Sequence, residues 1–202
     1  MTESKVQICN VALGRVGVSQ FIDNIDTEKS KPAGICRVNF DTSRDRALRE
    51  FNWSFARKYA VLKLVDEADG KPWEGDWLYA YRLPADCLFA RRIVTYKNDP
   101  NPPPFEVGKD DAGPILFTDM AEARLEYTSR VTNVGLFDPL FVSALAWLLA
   151  HELALGLSAD NKSMRADAMR GYLYDLSRAA AQSANERRRH PDPDTELIRD
   201  RM

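Results

Sequence analysis

The apolar positions of this chain change period along its length. Between residues 3 and 17, Val6, Cys9, Ala12, Leu13 and Val16 recur at helical spacing on one side. That spacing predicts a short amphipathic helix, stopped by Gly17. Residues 18–31 read as a loop with Phe21 and Ile22 turned inward. From about Pro32 to Phe51 the stripe Cys36, Phe40, Ser43, Ala47 and Phe51 predicts a second helix. Its opposite face carries Arg37, Arg44, Asp45 and Arg49. After Asn52 the pattern is ambiguous. Ala60, Leu62 and Leu64 alternate with Tyr59, Val61 and Lys63, as in a strand, while a further helical turn after Trp53 also fits.

From Trp77 to Arg130 the runs shorten. WLYAYRL, DCLFARRIVTYK, PILF and ARLEYTSRV are separated by turn-forming clusters such as KNDPNPPP. Beta-branched and aromatic residues between turn signals predict a strand-rich insertion, with Pro84 at a strand end or an edge. The most apolar stretch follows, Asp138 to Leu157. Asp138 suits an N-cap and Pro139 the first helical position. No charged residue lies between Pro139 and His151. A helix apolar all round is normally enclosed by other elements. A membrane span needs roughly 20 apolar residues, and here His151 and Glu152 interrupt the run. Glu152 falls nearly in line with Phe141, Leu145 and Leu148, so burial there would demand an arginine partner. After a short connection, Ser158 to Asn161, the stripe Met164, Ala168, Tyr172, Leu176, Ala179 and Ser183 predicts a long helix to about Arg189. So short a link makes it an antiparallel neighbour of the central helix.

These elements predict an α+β fold that is mainly α. Residues 1–65 and 131–189 form an antiparallel helical bundle around the central apolar helix. Residues 66–130 form a small β-rich insertion, and residues 190–202 a flexible C-terminal tail. The tail has Pro191 and Pro193, mixed charges, and only Leu197, Ile198 and Met202 as bulky apolar groups, too few to order it alone.

Composition narrows the chemistry. The chain has 202 residues, 45% hydrophobic and 29% charged, as expected of a folded protein without a membrane domain. The net charge of −2 gives no global argument for nucleic-acid binding. Cys9, Cys36 and Cys87 lack zinc-like spacing and fit reduced thiols made in a cytoplasm. No signal peptide is visible in MTESKVQIC. His151 and His190, the two histidines, are far apart in sequence, and His151-Glu152 lacks the second histidine of a zinc-protease helix. Asp66 with Glu67, or Glu74 with Asp76, could form a hydrolytic carboxylate pair, although acids in a glycine-rich loop are usually solvated. Residues 36–63 carry seven Lys or Arg against three Asp or Glu, a local +4 that could meet DNA phosphates. Trp53, Phe55, Trp73, Trp77 and Tyr81 could stack single strands, but aromatics at a helix–strand seam are more often core.

Four ordered stretches go further. They are ICNVALGRVG at the start, RDRALREFNWSFARKYAVL at 44–62, YAYRLPADCLFARRI at 79–93, and LEYTSRVTNVGLFDPLFVSALAWLLAHELA at 125–154. The most specific pieces are Trp53-Ser54-Phe55-Ala56, Tyr81-Arg82-Leu83-Pro84-Ala85-Asp86 and Phe137-Asp138-Pro139-Leu140-Phe141. Together they resemble the head-to-tail adaptor proteins of short-tailed bacteriophages, also called tail tubular or tail accessory proteins, over nearly the whole chain to Arg189. The resemblance implies a structural virion protein at the head–tail junction, synthesised in the bacterial host cytoplasm. It implies a twelve-subunit ring assembled on the portal protein, extending the DNA channel and docking the tail nozzle protein. It implies no cofactor, no metal, no membrane and no catalysis. The carboxy-terminal segment of such adaptors reaches the portal. Here that makes Arg187, Arg188, Arg189, Leu197 and Ile198 the expected portal-binding residues. Arg37, Arg44 and Arg49 are candidates to face genomic DNA in the channel. Near-neutral charge suits a channel that must pass DNA without holding it. The alternatives are a virion-associated cell-wall hydrolase and a DNA-binding module.

Overall fold

The computed structural model describes residues 4–65, 76–95, 101–157 and 162–186, with side chains in the last segment described as far as Gln182. Its helices are α1 (Lys5–Arg15), α2 (Lys31–Glu50), α3 (Pro139–Leu157) and α4 (Lys162–Glu186). Its strands are β1 (Arg57–Val61), β2 (Lys63–Leu64), β3 (Tyr79–Arg82), β4 (Cys87–Ile93), β5 (Glu106–Asp110), β6 (Gly113–Thr118) and β7 (Arg124–Ser129).

The helix ends follow from local chemistry. Ser4 and Ser30 cap α1 and α2, accepting hydrogen bonds from the backbone N–H of Gln7 and Ala33. Asp138 caps α3 as its position predicts, accepting from the Leu140 N–H at 2.8 Å. Gly17 ends the α1 region at φ +71°, a conformation open to glycine at little cost. Helix α3 is long and apolar enough to span a membrane by length and composition alone, and half of that window is buried within the fold. Ser143 bonds Asp175 at 2.5 Å, Gly171 lies under the Trp147 ring, and His151 meets Arg165. The falling numbers on α4 against rising numbers on α3 show that the two helices are antiparallel.

The strands form two antiparallel sheets, β1-β7-β4 and β2-β3-β6-β5. Residues 57–64 run along the edge of both, because β1 and β2 are separated only by Leu62. A large core cluster unites the helices with Trp53, Ala56, Leu88 and Phe137. A smaller one, including Leu62, Tyr81, Leu116, Leu125 and Tyr127, joins the two sheets.

This architecture overturns the expected fold class. The chain is a mixed α+β fold, 48% helical and 22% strand, with four helices and two antiparallel sheets among the described residues, and is not clearly a helical bundle with a small insertion. Two physical reasons account for the difference. The ambiguous stretch after Trp53 is extended, so the β region takes residues 57–64 and begins before the expected boundary at 66. Strand β5, EVGKD, has almost no apolar alternation and is fixed by pairing with β6 through the tight turn between Asp110 and Gly113. The expected tail, residues 190–202, and the connection from Ser158 to Asn161 lie outside the described residues.

Candidate functional site

The densest arrangement of conspicuous side chains is the joint between helices and sheets. Helix α2 stops at Glu50, and the chain turns through a 3-10 segment, Ser54–Ala56. Trp53 is thereby driven inward, donating its indole N–H to the Ala47 carbonyl at 2.8 Å. Its ring meets Phe51 and Phe141 edge-on, each at 5.0 Å. Phe55 lies 5.1 Å from Phe141 and 5.9 Å from Phe137, and Phe137 lies 4.8 Å from Phe141. Each such pair contributes roughly 0.5–1.5 kcal/mol beyond area burial. Two of the distinctive sequence pieces, Trp53 to Ala56 and Phe137 to Phe141, therefore interlock. The reading of Trp53 and Phe55 as core, rather than as a stacking platform, fits this geometry.

Charges complete the joint. Arg91 on β4 donates to the carbonyls of Arg49 and Phe51 at 2.8 and 2.9 Å, and to the Thr128 hydroxyl at 2.8 Å. It supplies donors to the open carbonyl end of α2, where a cation is also favoured by the helix dipole. Burial lowers its pKa, opposed by Glu126. Glu126 on β7 is itself buried. Burial alone would raise its pKa, but Arg92 at 2.7 Å, Asn52 at 3.2 Å and Arg57 at 3.5 Å prevail and hold it below the usual carboxylate value. In the third distinctive piece, Asp86 accepts from Lys58 at 2.6 Å and from the Tyr127 hydroxyl at 3.0 Å. Arg82 grips Asp110 with two nitrogens, each at 2.7 Å.

The arginines singled out as DNA-facing have separate surroundings. Arg37 is exposed but ties the loop before α2, donating to the carbonyls of Ile25 and Glu28 at 2.8 and 2.9 Å. Arg44 is 4% exposed, with Asp41 and Asp45 each at 2.7 Å, so its charge is met within the fold. Arg49 is exposed, donates to the Leu88 carbonyl at 3.3 Å and lies over the Phe89 ring. Arg187, Arg188, Arg189, Leu197 and Ile198 lie outside the described residues, as do Asp66, Glu67, Trp73, Glu74 and His190. Asp76 is exposed beside a shallow hollow it lines with Trp77, Leu78 and Asp119.

Other polar groups in the helical region are structural. His151 accepts from Arg165 at Nε2 and approaches the Arg165 carbonyl through Nδ1 at 3.0 Å, which fixes the Nδ1–H tautomer. Glu152 is partly exposed rather than buried, and Arg46 lies 3.7 Å from its carboxylate. Arg15 donates to Ser143 at 2.8 and 3.0 Å and sits 4.0 Å over Trp147, which is only half-buried. The Cys9 thiol, fully buried, is pushed far up by its hydrogen bond with Cys36 and by burial, and is no nucleophile. Burial raises Cys87 to about 11. Among the described residues no group of three or more His, Cys, Asp or Glu could hold a metal.

The sequence pattern did not single out the apolar side chains left exposed on strands: Tyr59 and Val61 on β1, Leu64 on β2, Phe89 on β4 and Val107 on β5. One signal was present, since KYAVLKL carries apolar residues in both phases of its alternation. No family model and no curated protein matches this chain.

Proposed function

We propose that this chain is a head-to-tail adaptor of a short-tailed bacteriophage, a structural protein that forms a ring beneath the portal, extends the DNA channel and docks the tail nozzle. The observation that carries the reading is where its three distinctive sequence pieces fall. Trp53 to Ala56 and Phe137 to Phe141 lock into one aromatic joint, and Tyr81 to Asp86 supplies the ion pairs that tie the strands. Residues that carry the resemblance thus build rigidity between two regions, as a ring subunit bearing load requires. In the proposed ring, of the three arginines singled out as DNA-facing, Arg37 and Arg49 have exposed surface to offer to passing DNA.

The reading assigns the portal contact to the chain end. Leu197 and Ile198 act as apolar anchors, each worth roughly 1.5–3 kcal/mol if fully buried. Arg187, Arg188 and Arg189 speed encounter and make binding weaker at high salt. The test is co-sedimentation with purified portal rings of the same phage. A chain cut after Arg188 keeps the parent melting temperature and loses sedimentation with the portal. Equal loading of cut and full-length chains refutes the assignment.

A further inference from the structure

We propose that the outer edge of β5 in one copy pairs with the outer edge of β2 in the next copy, so that the four-stranded sheets of neighbours join head to tail. The inference rests on the ring reading above and names the contact that would build the ring. Its starting point is one row of side chains across the sheet. The pairing places Leu64 opposite Tyr81, Tyr81 opposite Leu116, and Leu116 opposite Val107. All four share one face. Tyr81 and Leu116, in the middle, are 1% and 0% exposed, while Leu64 and Val107, at the two ends, are 62% and 49% exposed. The row stops at both edges with apolar surface uncovered. Among the described residues neither β2 nor β5 has a second strand partner.

Strand direction permits the joint. The sheet has four antiparallel strands, so its outer strands β2 and β5 run opposite to each other. A neighbour related mainly by translation then sets its β2 antiparallel to this β5, and the alternation continues unbroken. The three-stranded sheet does not share this property. Its outer strands β1 and β4 are parallel to each other, and β4 carries two register irregularities that disturb its ladder.

Charge fixes the register and the polarity. With Leu64 of one copy opposite Val107 of the other, Lys63 falls opposite Gly108. On the same face Gly108 is flanked by Glu106 and Asp110; Asp110 is already paired with Arg82, so the ammonium's diagonal partner is chiefly Glu106. The opposite arrangements fail. A two-fold β2–β2 contact sets Lys63 against Lys63, and a two-fold β5–β5 contact sets acids against acids, which is unfavourable across strands. A heterologous contact of this kind closes into a ring or continues as a filament.

The experiment mixes two full-length chains distinguishable by mass, one Leu64→Cys and the other Val107→Cys, under mild oxidation. The unsubstituted chain serves as control, since Cys9 and Cys36 are buried and Cys87 is half-buried. Both substituted positions are exposed, and unchanged melting curves establish that the variants fold. The expected result is a mixed disulfide dimer in roughly tenfold excess over either homodimer, because like charges disfavour the symmetric contacts. Adding Lys63→Glu to the first chain removes the excess, and Glu106→Lys in the second restores it. Mixed dimers no more abundant than homodimers overturn the contact. Electron microscopy of the double variant Leu64→Cys/Val107→Cys separates the two levels. Filaments without rings, together with a mixed-dimer excess, uphold the edge contact and defeat the ring reading. Rings without that excess uphold the ring reading and defeat this contact.

Discussion

The helical region and the paired sheets handle apolar surface differently. Around α3 the small residues Ala144, Ala146, Ala150 and Ala154 are all but fully buried, together with Leu145, Leu148, Leu149 and Leu153, so neighbouring helices approach closely. The sheets share a smaller cluster, and their apolar rows run out at the edges: Tyr59, Val61, Leu64 and Val107 face outward. Away from this packed centre the helical region also exposes apolar side chains, among them Val38, Leu155, Leu173 and Tyr174, scattered over separate helices. In the sheets the exposed apolar side chains instead end aligned rows at strand edges, and the Trp53–Phe55–Phe137–Phe141 joint holds the two regions in fixed relation.

Substitutions in each region should have effects of different size. The largest effect belongs to Phe141→Ala, since the ring is fully buried and touches Trp53, Phe55 and Phe137. Denaturant unfolding should show a loss of roughly 3–5 kcal/mol. Trp147→Ala should cost less despite its larger side chain, because Trp147 is half-buried between Arg15 and Gly171; an equal loss would place it in the sealed core. Next comes Glu126→Gln, which leaves Arg92 and Arg57 without their carboxylate and should cost about 1.5–3 kcal/mol at neutral pH. The folded-state pKa of Glu126 lies below its ordinary value, so its contribution is present above that value and is lost as pH falls through the folded one. Thermal melts across the acid range should therefore show a shallower decline for the variant than for the parent.

Gly171→Ala comes fourth. An added Cβ would lie 2.6 Å from the Trp147 ring, and calorimetry should register a loss of roughly 1–3 kcal/mol. Gly34→Ala in α2 meets nothing within 4 Å and should stabilise by roughly 0.5–1 kcal/mol through helix propensity. The smallest effect is expected at Leu64→Ser and Val107→Ser, which should leave the unfolding free energy of the isolated chain within about 0.5 kcal/mol. A large loss at either would mean that the edge row already serves the folded chain.

Much of the helical region was legible because local chemistry and burial agreed. Asp138-Pro139 announced the start of α3, and the stripe from Cys36 to Ala47 is buried as its spacing required. The sheets were harder to read. Residues 57–64 carry apolar side chains in both phases: Leu62 fills the sheet core, while Tyr59, Val61 and Leu64 lie open at the edge. Strand β5 is specified by its partner β6 rather than by its own pattern. The role of Arg91 as a cap for α2 joins residues about forty positions apart, which no local window can contain. Arg44 looked like one of a basic set, yet Asp41 three residues before it and Asp45 beside it foretold an internal ion pair.

Electron microscopy of the full-length protein mixed with purified portal rings of a short-tailed bacteriophage tests the proposed adaptor role. The expected class averages show an added ring of twelve subunits, coaxial with the portal and continuing its channel. Portal rings that remain bare at protein concentrations well above that of the portal would contradict that role.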